Sequence, residues 1–264
     1  MATVFMLREE YPESSGFSGS DKMIEKLKEI IDNAENIVFL GGAGMSTESG
    51  IPDFRSSGGL YNSDTGDEYN VAPETLLSHG FMMTRKKDFY KFYKSKMIYP
   101  DAKPNEAHYA LARLEEAGKL KAIITQNIDG LHQAAGSRRV LELHGTTDKY
   151  YCVKCHKFFN TEYIMETDDV PSCDACGGFV RPDVVMYGEN LPGGPFYEAV
   201  AAVSMADVMI VGGTSLTVQP AASFVDIFQG EHLIIINRDP TPYDGRAELV
   251  IRESVSKVLS AVCG

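Results

Sequence analysis

Gly41-Gly42-Ala43-Gly44-Met45-Ser46-Thr47-Glu48-Ser49-Gly50-Ile51-Pro52-Asp53-Phe54-Arg55 follows the apolar run Asn36 to Leu40. A short apolar run bounded by glycines reads as a buried strand, so the glycines stand where a strand hands over to a turn and a helix. That is a phosphate-binding position. Glycines let the backbone approach a pyrophosphate, and free N–H groups at the next helix start carry partial positive charge. The match to the dinucleotide fingerprint G-x-G-x-x-G is incomplete, because Thr47 stands where the third glycine belongs. A strand-to-helix turn packed by glycines explains Gly42 and Gly44 equally well. A mere connector, however, has no need of the acid, aromatic and guanidinium at Asp53, Phe54 and Arg55.

Outward from this stretch, strands alternate with helical segments. Asp21 to Ala34 carries Met23, Ile24, Leu27, Ile30 and Ile31 at helical spacing, and Lys103 to Gly118 places Ala107, Ala110, Leu111 and Leu114 on one helical face. Further strands are predicted at Leu120 to Thr125, Val140 to Leu143, Asp207 to Val211, His232 to Ile236 and Glu248 to Ile251, with a terminal helix after the last. This alternation predicts an α/β fold: a doubly wound parallel Rossmann-like sheet, with a smaller zinc-ribbon plus helical module formed from insertions. The Rossmann-like part is expected over residues 21–60, 100–145 and 186–264, and the small part over 61–99 and 146–185. Polar clusters recur at the carboxyl ends of these strands, at Gln126-Asn127-Ile128-Asp129, His144-Gly145, Gly213-Thr214-Ser215 and Asn237-Arg238-Asp239. Ligands bind at that edge in open α/β sheets.

Composition narrows the function classes. Lys and Arg number 25 against 37 Asp and Glu, a formal net charge of −12, which argues against a nucleic-acid phosphate footprint and suits a lysine-rich partner. Acidity for solubility alone explains the balance too. No apolar run approaches the ~20 residues of a membrane span. Residues 1–20 lack the basic start and apolar core of a signal peptide and read as a flexible lead-in, so a soluble, cytoplasmic protein is expected.

Cys152-x-x-Cys155 and Cys173-x-x-Cys176, with residues 156–172 between the pairs, fit the spacing of a four-thiolate zinc site. Four thiolates fill the tetrahedron, so the zinc is expected to be structural; His156 is not needed as a ligand. His144 is the best acid–base candidate among six histidines, because it ends a strand near Asn127 and Asp129. The latter two suit a carboxamide or ribose hydroxyls, and equally suit closure of a turn. The aromatics of the helical stretch Val71 to Tyr99, notably Phe89, Tyr90, Phe92 and Tyr93, read as ordinary packing or as a pocket lining.

Together these motifs, with Arg181-Pro182-Asp183-Val184-Val185-Met186-Tyr187-Gly188-Glu189, resemble the sirtuins, NAD-dependent protein lysine deacylases, from about Lys22 to the C-terminus. The resemblance implies that Ala43, Thr47, Phe54 and Arg55 contact the pyrophosphate, nicotinamide and ribose of NAD, and that Gln126, Ile128 and Asp129 hold the nicotinamide and its ribose. It implies that Thr214, Ser215, Asn237 and Val255 hold the adenosine half, that Val185 presents backbone to the acyl-lysine, and that Asn127 and His144 are catalytic. Asn237 then stands in for the acid that the ordinary fingerprint places about 20 residues beyond its glycines, where Asp64, Asp67 and Glu68 are expected in a loop.

The implied reaction consumes NAD. The acyl oxygen displaces nicotinamide from the ribose, His144 takes a proton from a ribose hydroxyl, and O-acetyl-ADP-ribose is released. Acetylated lysines of proteins are the implied partners, with no direct nucleic acid, no membrane and a monomeric enzyme. Two alternatives are a sirtuin-like protein ADP-ribosyltransferase and a non-catalytic zinc-ribbon interaction protein. Sirtuins that prefer acidic acyl chains carry Tyr-x-x-Arg in the helical insertion. Tyr93-Lys94-Ser95-Lys96 is the nearest equivalent here, and with Phe89, Phe92 and Met97 flanking it, a mainly apolar acetyl pocket is expected.

Overall fold

Ile37–Gly41 (β1) is buried along its whole length, as an apolar run in the middle of a parallel sheet should be. The structure is a computed structural model describing residues 19–56, 58–62 and 68–263. Of the expected lead-in, only Gly19 and Ser20 fall within that range, as the first residues of the Gly19–Asn33 helix. Asp64 and Asp67 lie outside it.

Leu120–Thr125 (β2), Val140–Glu142 (β3), Val208–Gly212 (β7), His232–Ile236 (β8) and Leu249–Ile251 (β9) join β1 in one sheet, ordered β3-β2-β1-β7-β8-β9. Every pairing is parallel. The strand order reverses between β1 and β7, so the crossovers leave in opposite directions and open a crevice above the carboxyl ends of that pair. There Gly41 is in register with Gly212.

Helices cover both faces. Leu27, Ile31, Leu111, Val258 and Leu259 of the Gly19–Asn33, Glu106–Glu116 and Val255–Cys263 helices pack on one side, with Phe39 and Ile210 of the sheet. Ala199, Val203, Phe224 and Val225 pack on the other, against Leu40 and Ile124. Apolar burial at ~25 cal/mol per Å² makes these two layers the main stabilising term. The Glu106–Glu116 helix begins later than the expected Lys103, because the Asn105 side chain caps it by accepting from Ala107 N at 3.0 Å.

The insertions form a second body. Gly145–Cys152 (β4), Phe158–Phe159 (β5) and Val180–Val184 (β6) make an antiparallel sheet ordered β5-β4-β6. The Pro73–Leu76, His79–Thr84 and Lys86–Lys96 helices pack against it. Phe89, Tyr90, Phe92 and Tyr93 form the shared core with Tyr150 and Val180, and Tyr90 donates its hydroxyl to Val180 O at 2.7 Å. These aromatics are therefore packing, and the expectation that Phe89 and Phe92 flank an acyl pocket is corrected. The acidic turn at 167–169 follows the Thr161–Glu166 helix. Asp169 pairs with Lys87 at 2.8 Å, and Lys94 donates to Thr167 O, tying the loop to the Lys86–Lys96 helix. Glu68 likewise pairs with Lys91 at 2.8 Å.

Candidate active site

Beyond Gly41 the chain makes two short 3-10 turns, Ala43–Met45 and Thr47–Ser49, where a regular helix was predicted. Gly44 N donates to Gly213 O at 2.8 Å. A Cβ on Gly42 would stand 2.7 Å from the Thr214 side chain, and one on Gly44 would stand 2.8 Å from Gly213 Cα. The close approach of the β1 and β7 ends thus requires both glycines, whatever binds above them. The backbone N–H groups of this loop cannot draw on the dipole of a long helix, because none follows.

A cavity of about 1060 Å³ opens over the loop, between the parallel sheet and the small body. It is lined from the first strand end by Ala43, Thr47, Phe54 and Arg55, and from the second by Gln126, Asn127, Ile128 and Asp129. Thr214 and Ser215 line it beyond β7, Asn237 beyond β8 and Val255 beyond β9, while His144 and Val185 face it from the β4–β6 side. Residues as far apart in sequence as Ala43 and Val255 meet here because each follows a strand of one sheet or the sheet beside it.

Hydrogen bonds fix the polar wall. Ser46 Oγ donates to Asp129 Oδ2 at 2.6 Å and accepts from Asn127 Nδ2 at 3.1 Å. Asp129 also accepts from Leu131 N at 3.0 Å. Gln126 Nε2 donates to Thr214 Oγ1 at 3.0 Å, bridging the β2 and β7 ends. Asn105 Nδ2 donates to Met45 O and Ser49 Oγ at 2.8 and 3.0 Å, holding the glycine loop from behind. Neither Ser46 nor Asn105 is singled out by sequence reading. Asn105 falls inside the helix expected from Lys103, and an asparagine just ahead of an apolar helical face is the signal that could have marked it as a cap.

His144 Nδ1 lies 2.9 Å from Gln126 O. A carbonyl only accepts, so Nδ1 carries the proton and Nε2 keeps its lone pair. Burial lowers the imidazole pKa, opposed by the bond to Gln126, so the ring is a neutral base near neutral pH. His108 and His132 are different. Their rings sit inside the core with centroids 4.8 Å apart and planes tilted by 60°, burial pushes them down to about 4 and about 3, and neither lines the cavity.

The four cysteine Sγ atoms of Cys152, Cys155, Cys173 and Cys176 lie within 4.8 Å of one another. Closest approaches are 3.5 Å for Cys152–Cys176, 3.6 Å for Cys155–Cys173 and 3.4 Å for Cys155–Cys176. A tetrahedron with Zn–S of about 2.3 Å has edges of about 3.8 Å, so the donor set fits zinc with no ligand position to spare. The knuckles sit at the ends of β4 and β6, away from the cavity. His156 is exposed and outside the cluster.

The Sir2 family model matches residues 42–220, a span that includes the glycine loop, His144 and all four cysteines. The NAD-dependent protein deacetylase of Clostridium perfringens (strain 13 / Type A) is 54% identical over 243 residues, covering 92% of this chain and 99% of that protein. Among solved structures, a Sir2 with deacetylated p53 peptide and 3'-O-acetyl ADP-ribose superimposes with TM-score 0.83 at 41% identity, covering 90% of this chain and 96% of that one. A Sir2 complex with p53 peptide and NAD+ gives 0.79 at 40% identity, with the same coverage. The chain belongs to the Sir2 family, the sirtuins.

Proposed function

We propose that the protein removes acetyl groups from protein lysine side chains at the expense of NAD, releasing nicotinamide and O-acetyl-ADP-ribose. One observation carries the reading: His144, with its proton committed to Gln126 O, lines the same cavity as the glycine loop and the Ser46–Asn127–Asp129 wall. Resemblance to enzymes crystallised with NAD and peptide supports it.

Each residue then has a task. The acetyl oxygen displaces nicotinamide from the ribose carbon that carries it, and oxygen from water ends in the acetyl ester. His144 Nε2 accepts the proton of a ribose hydroxyl, freeing that oxygen to attack the bound acyl carbon. Asn127 and Asp129, held by Ser46, orient the nicotinamide end; Gln126 and Ile128 bound it from the same turn. Ala43 and Thr47 face the pyrophosphate, and Phe54 with Arg55 excludes water from the reacting ribose. Thr214, Ser215, Asn237 and Val255 hold the adenosine half. Val185 offers backbone to the acyl-lysine, with its own N–H already given to His144 O at 3.0 Å.

Residues 21–60, 100–145 and 186–264 then form the NAD-binding part, and 61–99 with 146–185 the small part that completes the acyl-lysine side. Zinc, held by Cys152, Cys155, Cys173 and Cys176, stabilises the small part and takes no part in the chemistry. Among the described residues no helix is long and apolar enough to cross a membrane. A thiolate cluster and an NAD supply both suit the cytoplasm, where we place the reaction.

Incubation with NAD and an acetyl-lysine peptide tests the proposal. Formation of nicotinamide, deacetylated peptide and O-acetyl-ADP-ribose in equal amounts is the expected result. Transfer of label from NAD to protein without deacetylation would favour the ADP-ribosyltransferase, and no reaction would favour a binding protein.

A further inference from the structure

Tyr61 and Tyr187 meet hydroxyl to hydroxyl at 2.9 Å, across the gap between two segments that line different halves of the cavity. Tyr187 is firmly anchored through its main chain. Its N–H donates to Leu77 O at 2.9 Å, and its carbonyl accepts from His79 N at 3.0 Å. The preceding Met186 N donates to Glu189 Oε2 at 2.9 Å, and Glu189 is itself gripped by Arg181 through two bonds of 2.6 and 2.9 Å. Tyr187 as a residue is 42% exposed, so packing alone does not dictate where its phenol points.

Tyr61 belongs to the other half. Its N–H donates to Phe54 O at 2.9 Å, its ring lies 5.3 Å from that of Phe54, and the Arg55 guanidinium stands 5.6 Å over its face. Wherever Tyr61 goes, Phe54 and Arg55 go with it. Burial and the neighbouring Tyr187 hydroxyl both raise the Tyr61 pKa, so Tyr61 keeps its hydroxyl proton for an O–H···O bond at physiological pH.

We propose that the Tyr61–Tyr187 hydroxyl pair is a latch that holds the Phe54–Arg55 loop closed on NAD by fastening it to the acyl-lysine segment. Both are positioning residues: they act through Phe54 and Arg55 on one side and the Val185 backbone on the other. The chemistry of proton transfer stays with His144. The latch rests on the proposed function, and it adds a physical link between the two substrate halves.

Tyr61→Phe and Tyr187→Phe keep both rings and delete one hydroxyl each. A neutral hydrogen bond of this kind is worth about 1 kcal/mol net, so each variant should raise KM for NAD about fivefold at saturating acetyl-lysine peptide, with kcat little changed. Binding of ADP-ribose, followed by calorimetry, should weaken by the same factor without need of turnover. The double variant should be no worse than either single, because the bond is lost once. Unchanged KM and ADP-ribose affinity in both single variants would overturn the latch, as would effects that multiply in the double variant. Absence of deacetylation by the unmodified protein would sink the proposed function instead, while normal wild-type turnover with unaltered variants would remove only the latch.

Discussion

His144 Nδ1 and the main-chain oxygen of Gln126 are 2.9 Å apart, which assigns the imidazole tautomer without reference to any ligand. His144→Ala should therefore abolish deacetylation while leaving ADP-ribose binding intact, since the glycine loop and the β7 and β8 ends are untouched. The pH dependence follows in sign. Burial lowers the pKa, so kcat/KM should be flat through neutrality and fall only on acidification below the usual imidazole range, as Nε2 becomes protonated. Undiminished turnover in the alanine variant would remove the general-base role.

Gly145 has φ +77, and a Cβ there would lie 1.9 Å from Asp183 O on β6. Gly145→Ala must push β4 and β6 apart at the Gly145–Val184 pair, between His144 and Val185. We expect a loss of at least about 2 kcal/mol of stability, read from denaturant melts. A fall of more than about tenfold in kcat/KM should accompany it, because small displacements of a base from its substrate are costly. A variant of native stability and activity would mean that the two strands separate freely.

Metal analysis should find one zinc per chain. Replacing Cys152 or Cys173 by alanine should release it and loosen β4, β5 and β6, seen as faster amide exchange in that sheet. Structural zinc is worth about 10–16 kcal/mol in small finger peptides. The effect should stay local here, because Tyr150, Phe159 and Val180 also pack against the helical insertion and the parallel sheet has cores of its own. Native protein without zinc would refute this account.

Lys96 lines the cavity from an exposed position, while Tyr93, three residues earlier, is fully buried beside Phe89 and Tyr150. The two cannot grip one carboxylate together. A lone lysine is a flexible point charge, and Met97 and Ile98 beside it are apolar. Acetyl-lysine peptides should therefore exceed succinyl-lysine peptides in kcat/KM by at least about tenfold, as expected when a charged group must settle beside apolar Met97 and Ile98 with a single flexible lysine next to them. Equal succinyl turnover on one peptide sequence would show that Lys96 reaches the carboxylate after all.

The sequence by itself determined the parallel sheet, because buried strands such as Ile37–Gly41 and Val208–Gly212 are apolar along their length and begin and end at polar or glycine punctuation. It also determined the zinc donors, whose spacing is set by local knuckle geometry, and the family, whose ordered motifs survive without coordinates. Tertiary structure alone decided what depends on distant segments meeting. Gly42 and Gly44 owe their identity to Gly213 and Thr214, residues that periodicity cannot place beside them. Ser46 and Asn105 acquired roles only when β1, β2 and the Glu106–Glu116 helix converged, since a hydroxyl or an amide has no preferred partner until the fold supplies one. Phe89 and Phe92 were drawn away from the cavity for the same reason: an aromatic side chain buries itself wherever the packing is, and sequence spacing gives the helical face without saying what lies opposite.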